Sequence, residues 1–220
     1  MKNWLAVAMA AVFVGGVVLT TADCGKSEKL PVSVERTLSG QPSPSPKPND
    51  TVHKASRLAI KRATDAAAAK ISVTPTKTTI EAMLKVVRPD GLAADLSTPE
   101  FQEKRAGPFE TTLWQVDATI TEVVKRADGD FYLVIESPTG ARSVVEVPDP
   151  ALCTGSKKLA EITAARQALE AKFHPTAQPQ KVHLKARVTG LGFFGNAKAR
   201  EGHPATNGAR IMPGLKIDWL

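Results

Sequence analysis

Apolar and polar residues alternate along several stretches in the second half of the chain. Residues 113–123 place Trp114, Val116, Ala118 and Ile120 at every second position, with polar residues between them. This is the period of a strand with one buried face. Asp128-Gly129 supplies a tight hairpin turn, after which residues 131–136 return with Phe131, Leu133 and Ile135 on one face and Tyr132 and Val134 on the other. A second turn over 137–140 leads into a strand at 142–147, which Pro148 and Pro150 stop. The period then lengthens. Leu159, Ile162, Ala165, Leu169 and Phe173 form the apolar stripe of a helix capped by Ser156 and ended by His174-Pro175. A fourth strand over 182–189 turns Val182, Leu184, Ala186 and Val188 inward and His183, Lys185, Arg187 and Thr189 outward. A loop over 190–214 follows, and residues 215–219 form the last strand, with Leu215, Ile217 and Trp219 on one face.

Upstream the patterning is thinner. Residues 51–70 read as a helix in which Lys54, Arg57, Lys61, Arg62 and Lys70 interleave with alanine and a narrow apolar stripe, so it is expected to be solvated or loosely docked. Residues 76–87 read as a second helix, because Ile80, Met83, Leu84 and Val87 stand at i, i+3, i+4 and i+7. Such a stripe needs a surface to cover, and the open end of the strand domain is the nearest one. Pro89-Asp90-Gly91 ends it. Before these, residues 41–50 alternate proline with serine and lysine, a composition that favours an extended spacer and builds no core. The expected organisation is therefore a targeting segment over 1–22, a Pro/Ser-rich disordered linker over 23–53, short helices and loops over 54–108, and a strand domain over 109–220.

The targeting segment rests on Lys2, an uncharged run from Asn3 to Ala22, and small residues before Asp23. This pattern fits a secretory signal peptide cleaved before Asp23. A retained anchor over residues 4–22 is the rival, since the run is long enough to cross a bilayer. Lipidation of Cys24 is a third reading, opposed by the acidic Asp23 where such signals carry a small residue. Each places the domain outside the cytoplasm, and contact with a membrane arises only through an uncleaved segment or a lipid on Cys24. In an oxidising compartment Cys24 and Cys153 could pair; Cys153 as a buried thiol with Cys24 in the tail is the alternative.

The element order in the second half, β-β-β-α-β-β, resembles the OB-fold, a five-stranded barrel that often binds oligonucleotides or oligosaccharides. The implied class is mainly β with α, an OB-like barrel preceded by short helices and a disordered linker. Three segments are also similar to a group of exported bacterial proteins of unassigned function: residues 112–116 (Thr-Leu-Trp-Gln-Val), 145–150 (Val-Glu-Val-Pro-Asp-Pro) with Cys153 after them, and 188–194 (Val-Thr-Gly-Leu-Gly-Phe-Phe) followed by Asn207-Gly208. That resemblance implies compartment and fold, without chemistry. Where the group usually has an acidic residue after the Phe-Phe pair and a later His-Pro, this chain has Gly195 and Met212-Pro213.

Candidate chemistry is sparse. A barrel nuclease needs carboxylates around a hard cation and arginines on the phosphate. Asp117, Asp128, Asp130, Arg142 and Arg187 are on hand, but Asp128 and Asp130 belong to a turn that favours aspartate for backbone reasons. His53, His174, His183 and His203 are scattered, no Cys-x-x-Cys occurs, and the nucleophile-elbow and phosphate-loop motifs are missing. The chain is accordingly read as non-enzymatic, with no cofactor and no metal. The formal charge of +7 directs attention to a surface. Lys185, Arg187 and Lys216 should share an outer edge, with Lys198, Arg200 and Arg210 on the adjoining loop and Phe193 and Phe194 beside them. These eight residues are the expected ligand-binding edge for an anionic polymer, nucleic acid or acidic polysaccharide. An envelope protein is the alternative partner, for which the apolar area around Phe193 and Phe194 should be exposed; the plainer reading has the two rings plugging the barrel end and the charges solvated.

Overall fold

The computed structural model describes residues 57–197 and 206–220. The expected targeting segment and linker, and with them Cys24, His53, Lys198, Arg200 and His203, lie outside the described residues. The fold is mixed, mostly β with few helices. Its strands are β1 (Thr76–Thr78), β2 (Leu113–Lys125), β3 (Phe131–Glu136), β4 (Arg142–Val147), β5 (Gln180–Phe194) and β6 (Ala209–Trp219). The helices are α1 (Leu58–Lys61), α2 (Ile80–Leu84), α3 (Gly107–Glu110) and α4 (Leu159–Phe173).

The long alternating runs form the sheet. β2 pairs antiparallel with β3 on one side and β5 on the other, β3 with β4, and β5 with β6; β4 meets β6 in parallel at Val145 and Ile211. The pairings thus run β2–β3–β4–β6–β5 and return to β2. Phe131, Leu133 and Ile135 are each fully buried, as are Ile120, Val145, Ala186 and Val188. Each large apolar side chain so enclosed contributes about 1.5–3 kcal/mol. A bulge between Ile120 and Glu122 resets the alternation of β2, so Val123 also faces the core. From α4, Ile162, Ala165 and Leu169 are buried, while Phe173 meets Trp219 edge-on at 5.5 Å.

Four expectations need correction. The helix expected over 51–70 is reduced, within the described residues, to α1 and a single 3-10 turn at Ala68–Lys70. Left-handed backbone at Arg57 and Ala63 breaks it, and the winding path lets Ile60, Ala63, Ala68 and Ile71 all be buried. Tertiary burial overrides alanine's helix propensity here. The helix expected over 76–87 is instead β1, parallel to the start of β2, followed by α2, whose first turn is capped by the Thr79 hydroxyl accepting from Ala82 N–H at 3.1 Å. Ile80 and Met83 are buried, but Val87 is 84% exposed. Ser156 stands two residues before the cap position of α4: its hydroxyl donates to Ala63 O at 2.9 Å and accepts from Lys158 N–H at 3.1 Å, while Lys158 takes the cap position without a side-chain bond. Finally, much of the loop expected over 190–214 is strand. Gly192 marks a close approach rather than a break, since a Cβ there would lie 2.1 Å from Phe109 O.

The segment before β2 is not an appendage to the strands. Ile80, Met83, Leu92, Phe101, Ala106 and Phe109 join the same core as the sheet, and Ile60 and Leu96 form a smaller core with Phe193 and Met212. Two buried ion pairs fasten this cover. Arg57 and Glu110, both fully enclosed, meet through two bonds of 2.6 and 2.7 Å. Glu110 also accepts from Phe194 N–H at 2.7 Å and Ala106 N–H at 2.6 Å. Arg105 grips Asp65 with contacts of 2.7 and 3.0 Å. Arg88 adds four bonds to carbonyls of Leu92, Ala93, Gly195 and Asn207.

Candidate functional site

Strand parity and register together decide which of the basic residues meet. On the outer face of β2, β5 and β6, Gln115 stands opposite Thr189 and Thr189 opposite Lys216; Asp117 stands opposite Arg187 and Arg187 opposite Asp218; Thr119 stands opposite Lys185. Lys185, Arg187 and Lys216 are therefore brought onto one face. Two carboxylates come with them. Arg187 donates two bonds to Asp117, at 2.7 and 2.8 Å, and Lys216 lies 3.0 Å from Asp218. The Arg187 guanidinium holds the Asp117 carboxyl below its usual range, and Asp117 in turn raises Arg187. Lys181 is paired with Glu122 at the end of the same face. The edge is a mixed ladder with a small surplus of positive charge.

Three expected members fall elsewhere. Arg210 is six residues from Lys216 on one strand, about 20 Å at the usual strand rise. It is four-fifths buried and bonded to Glu146 at 2.9 Å. Phe193 and Phe194 are each 1% exposed, so neither ring is open for stacking. Successive strand residues point to opposite faces, yet both are covered: Phe194 packs on Phe109 at 5.1 Å in the main core, and Phe193 lies under Arg57, Ile60 and Leu96. The cover over the second face explains the burial of the pair.

The carboxylates weighed for a nuclease do not converge. Asp117 is tied to Arg187 on the outer face, Arg142 to Glu136, and Asp130 accepts from Asp149 N–H at 2.9 Å in the β2–β3 turn. Burial pushes the Asp130 carboxyl up to about 6, with Asp128 and Glu146 adding repulsion. Among the described residues no group of three or more His, Cys, Asp and Glu side chains is placed to hold a metal ion. Cys153 is a free thiol with no exposed surface, pushed up to about 11 by burial. His174 closes α4 in left-handed conformation and His183 is exposed on β5.

One feature of the ladder face was missed in sequence. A cleft of about 480 Å³ opens between α4, the start of β2 and β6, lined by Val73, Pro75, Leu113, Gln115, Lys158, Glu161, Ala164, Thr189, Leu215 and Lys216. Outward parity alone would have placed Asp117 and Asp218 beside Arg187. The cleft depends on where α4 docks, which no local pattern encodes. A smaller hollow of about 200 Å³ lies between Asp117, Thr119, Pro138, Lys185 and Leu220. No model of a known protein family matches the chain, and no curated protein is similar to it. Among the described residues no helix is long and apolar enough to cross a membrane.

Proposed function

We propose that the closed run of strand pairings is an OB-like barrel and that the chain is an exported, non-enzymatic binding module whose β2–β5–β6 face receives an anionic ligand. The strand order, the parallel β4–β6 contact and the helix between β4 and β5 support the barrel. The observation that carries the function is the convergence of Lys185, Arg187 and Lys216 on adjacent strands of one face. Export rests on the apolar run after Lys2, and a mature protein beginning at Asp23, measured by intact mass from the extracytoplasmic fraction, is its test.

Because Asp117 and Asp218 interleave with the bases, the face suits a few point contacts with anionic groups. A titration against single-stranded DNA and against an acidic polysaccharide should give weak binding. Three contacts to a single strand correspond to a slope of roughly −2 in log K against log salt. Lys185→Glu with Lys216→Glu should abolish it, and no binding to either polymer at low salt would refute the reading. The same interleaving favours a second reading, a protein partner of mixed charge. Asp117→Asn separates them: it frees Arg187 and strengthens binding to a polyanion, whereas it weakens a contact that uses both signs.

A further inference from the structure

The cleft beside Lys216 combines a mainly apolar lining with two lysines, Lys158 and Lys216. Its volume, about 480 Å³, falls within the range of roughly 300–1,000 Å³ typical of small-molecule sites. Lys158 is the telling group. It is 9% exposed, and among the described residues its ammonium has only a long contact of 3.4 Å to Glu161, a carboxylate with 44% of its side chain in solvent. A buried ammonium is costly without a close anionic partner, and Glu161 supplies a distant and hydrated one. Lys216 also lines the cleft, with 67% of its side chain exposed and its ammonium 3.0 Å from Asp218. Two lysines and one carboxylate thus line the cleft together with Leu113, Ala164 and Leu215, and Asp218, the partner of Lys216, is not among its lining residues.

We infer that this cleft binds a small aliphatic carboxylate, its chain against the apolar wall and its carboxylate drawn to Lys158 and Lys216. The assignment rests on the reading of the β2–β5–β6 face as anion-receiving and names the ligand class for one end of it. An aliphatic alcohol of equal length would gain the apolar contacts alone, and an alkylammonium would meet like charge. A polyanion would touch Lys185, Arg187 and Lys216 from outside, with no chain to fill the cleft.

The test is calorimetric titration of the full chain with decanoate, decanol and decyltrimethylammonium, each below its aggregation limit. Decanoate should bind at one site per chain, at least about tenfold tighter than decanol, the scale of a hydrogen bond to a charged group. The cation should bind more weakly than either. Lys158→Met should bring decanoate to the level of decanol without changing decanol; if that variant does not fold, Lys216→Met at its exposed position should narrow the same ratio. Ala164→Trp, which fills the cleft, should abolish binding of both ligands and leave polymer binding through Lys185 and Arg187 intact. Equal affinity for decanoate and decanol, non-saturating uptake, or decanoate binding that survives Ala164→Trp would overturn the inference, whatever the polymer titration shows.

Discussion

Replacing Glu110 by alanine tests whether the segment before β2 is part of the folded unit. The carboxylate accepts four bonds, two from Arg57 and one each from the backbone N–H groups of Ala106 and Phe194, all between 2.6 and 2.7 Å. Both side chains of the pair are fully enclosed. Glu110→Ala therefore strands a buried guanidinium and two backbone donors. Removing one partner of a buried pair costs about 3–5 kcal/mol, which for a domain of this size lowers the melting temperature by roughly 10 °C. Arg57→Met should cost a similar amount by stranding the carboxylate. The double variant Arg57→Met/Glu110→Ala removes both charges but leaves the Ala106 and Phe194 donors without an acceptor. At about 1–3 kcal/mol for each such group, it should recover only part of the loss. Urea unfolding of the four proteins in a double-mutant cycle is the assay. A cost below about 1 kcal/mol for Glu110→Ala, where a buried pair requires several, would refute the argument that this pair fastens the cover to β5.

The remaining predictions concern packing, protonation and reactivity. Gly192→Ala should destabilise by about 1–3 kcal/mol, the usual range for overpacking, because the new methyl meets Phe109 O at 2.1 Å; thermal unfolding checks it. Asp130, raised to about 6 in the fold, binds its proton more tightly when folded. Its stabilising effect is present below the unfolded carboxylate range and is lost as pH rises through about 6, so Asp130→Asn should flatten that part of the stability profile. Glu81 has the opposite sign. Bonds from the Ser137 and Thr139 hydroxyls hold it at about 2, so its contribution is present above the unfolded value and disappears as pH falls toward 2; Glu81→Gln should remove that acid-side loss in the same titration. Cys153 should resist thiol reagents in native protein and react at once in urea, and rapid native labelling would contradict its burial.

The strands were legible because one-sided burial imprints a period of two. Phe131, Leu133 and Ile135 announce their face directly, and α4 announces its own through Ile162, Ala165 and Leu169. Residues 57–112 were not legible, because their structure follows from what they cover. Arg57 reads in sequence as one more solvated base, yet Glu110, 53 residues later, buries it. Gly190 and Gly192 read as loop residues because glycine usually interrupts a strand, whereas here they admit Ile211 and Phe109 at close range. At the candidate site, the convergence of Lys185, Arg187 and Lys216 followed from parity. The outlying position of Arg210 and the burial of Phe193 did not. Each depends on a partner from a distant part of the chain, Glu146 in the first case and the Ile60–Leu96 cover in the second.

The claim that the β2–β5–β6 face receives anions is tested most directly by one salt-dependent titration of a fluorescent single-stranded oligonucleotide, run in parallel on the natural chain, on Asp117→Asn and on Lys185→Glu/Lys216→Glu. The account predicts that Asp117→Asn binds more tightly than the natural chain and that the double lysine variant does not bind. Identical affinities in all three, or no binding by any of them at low salt, would contradict it.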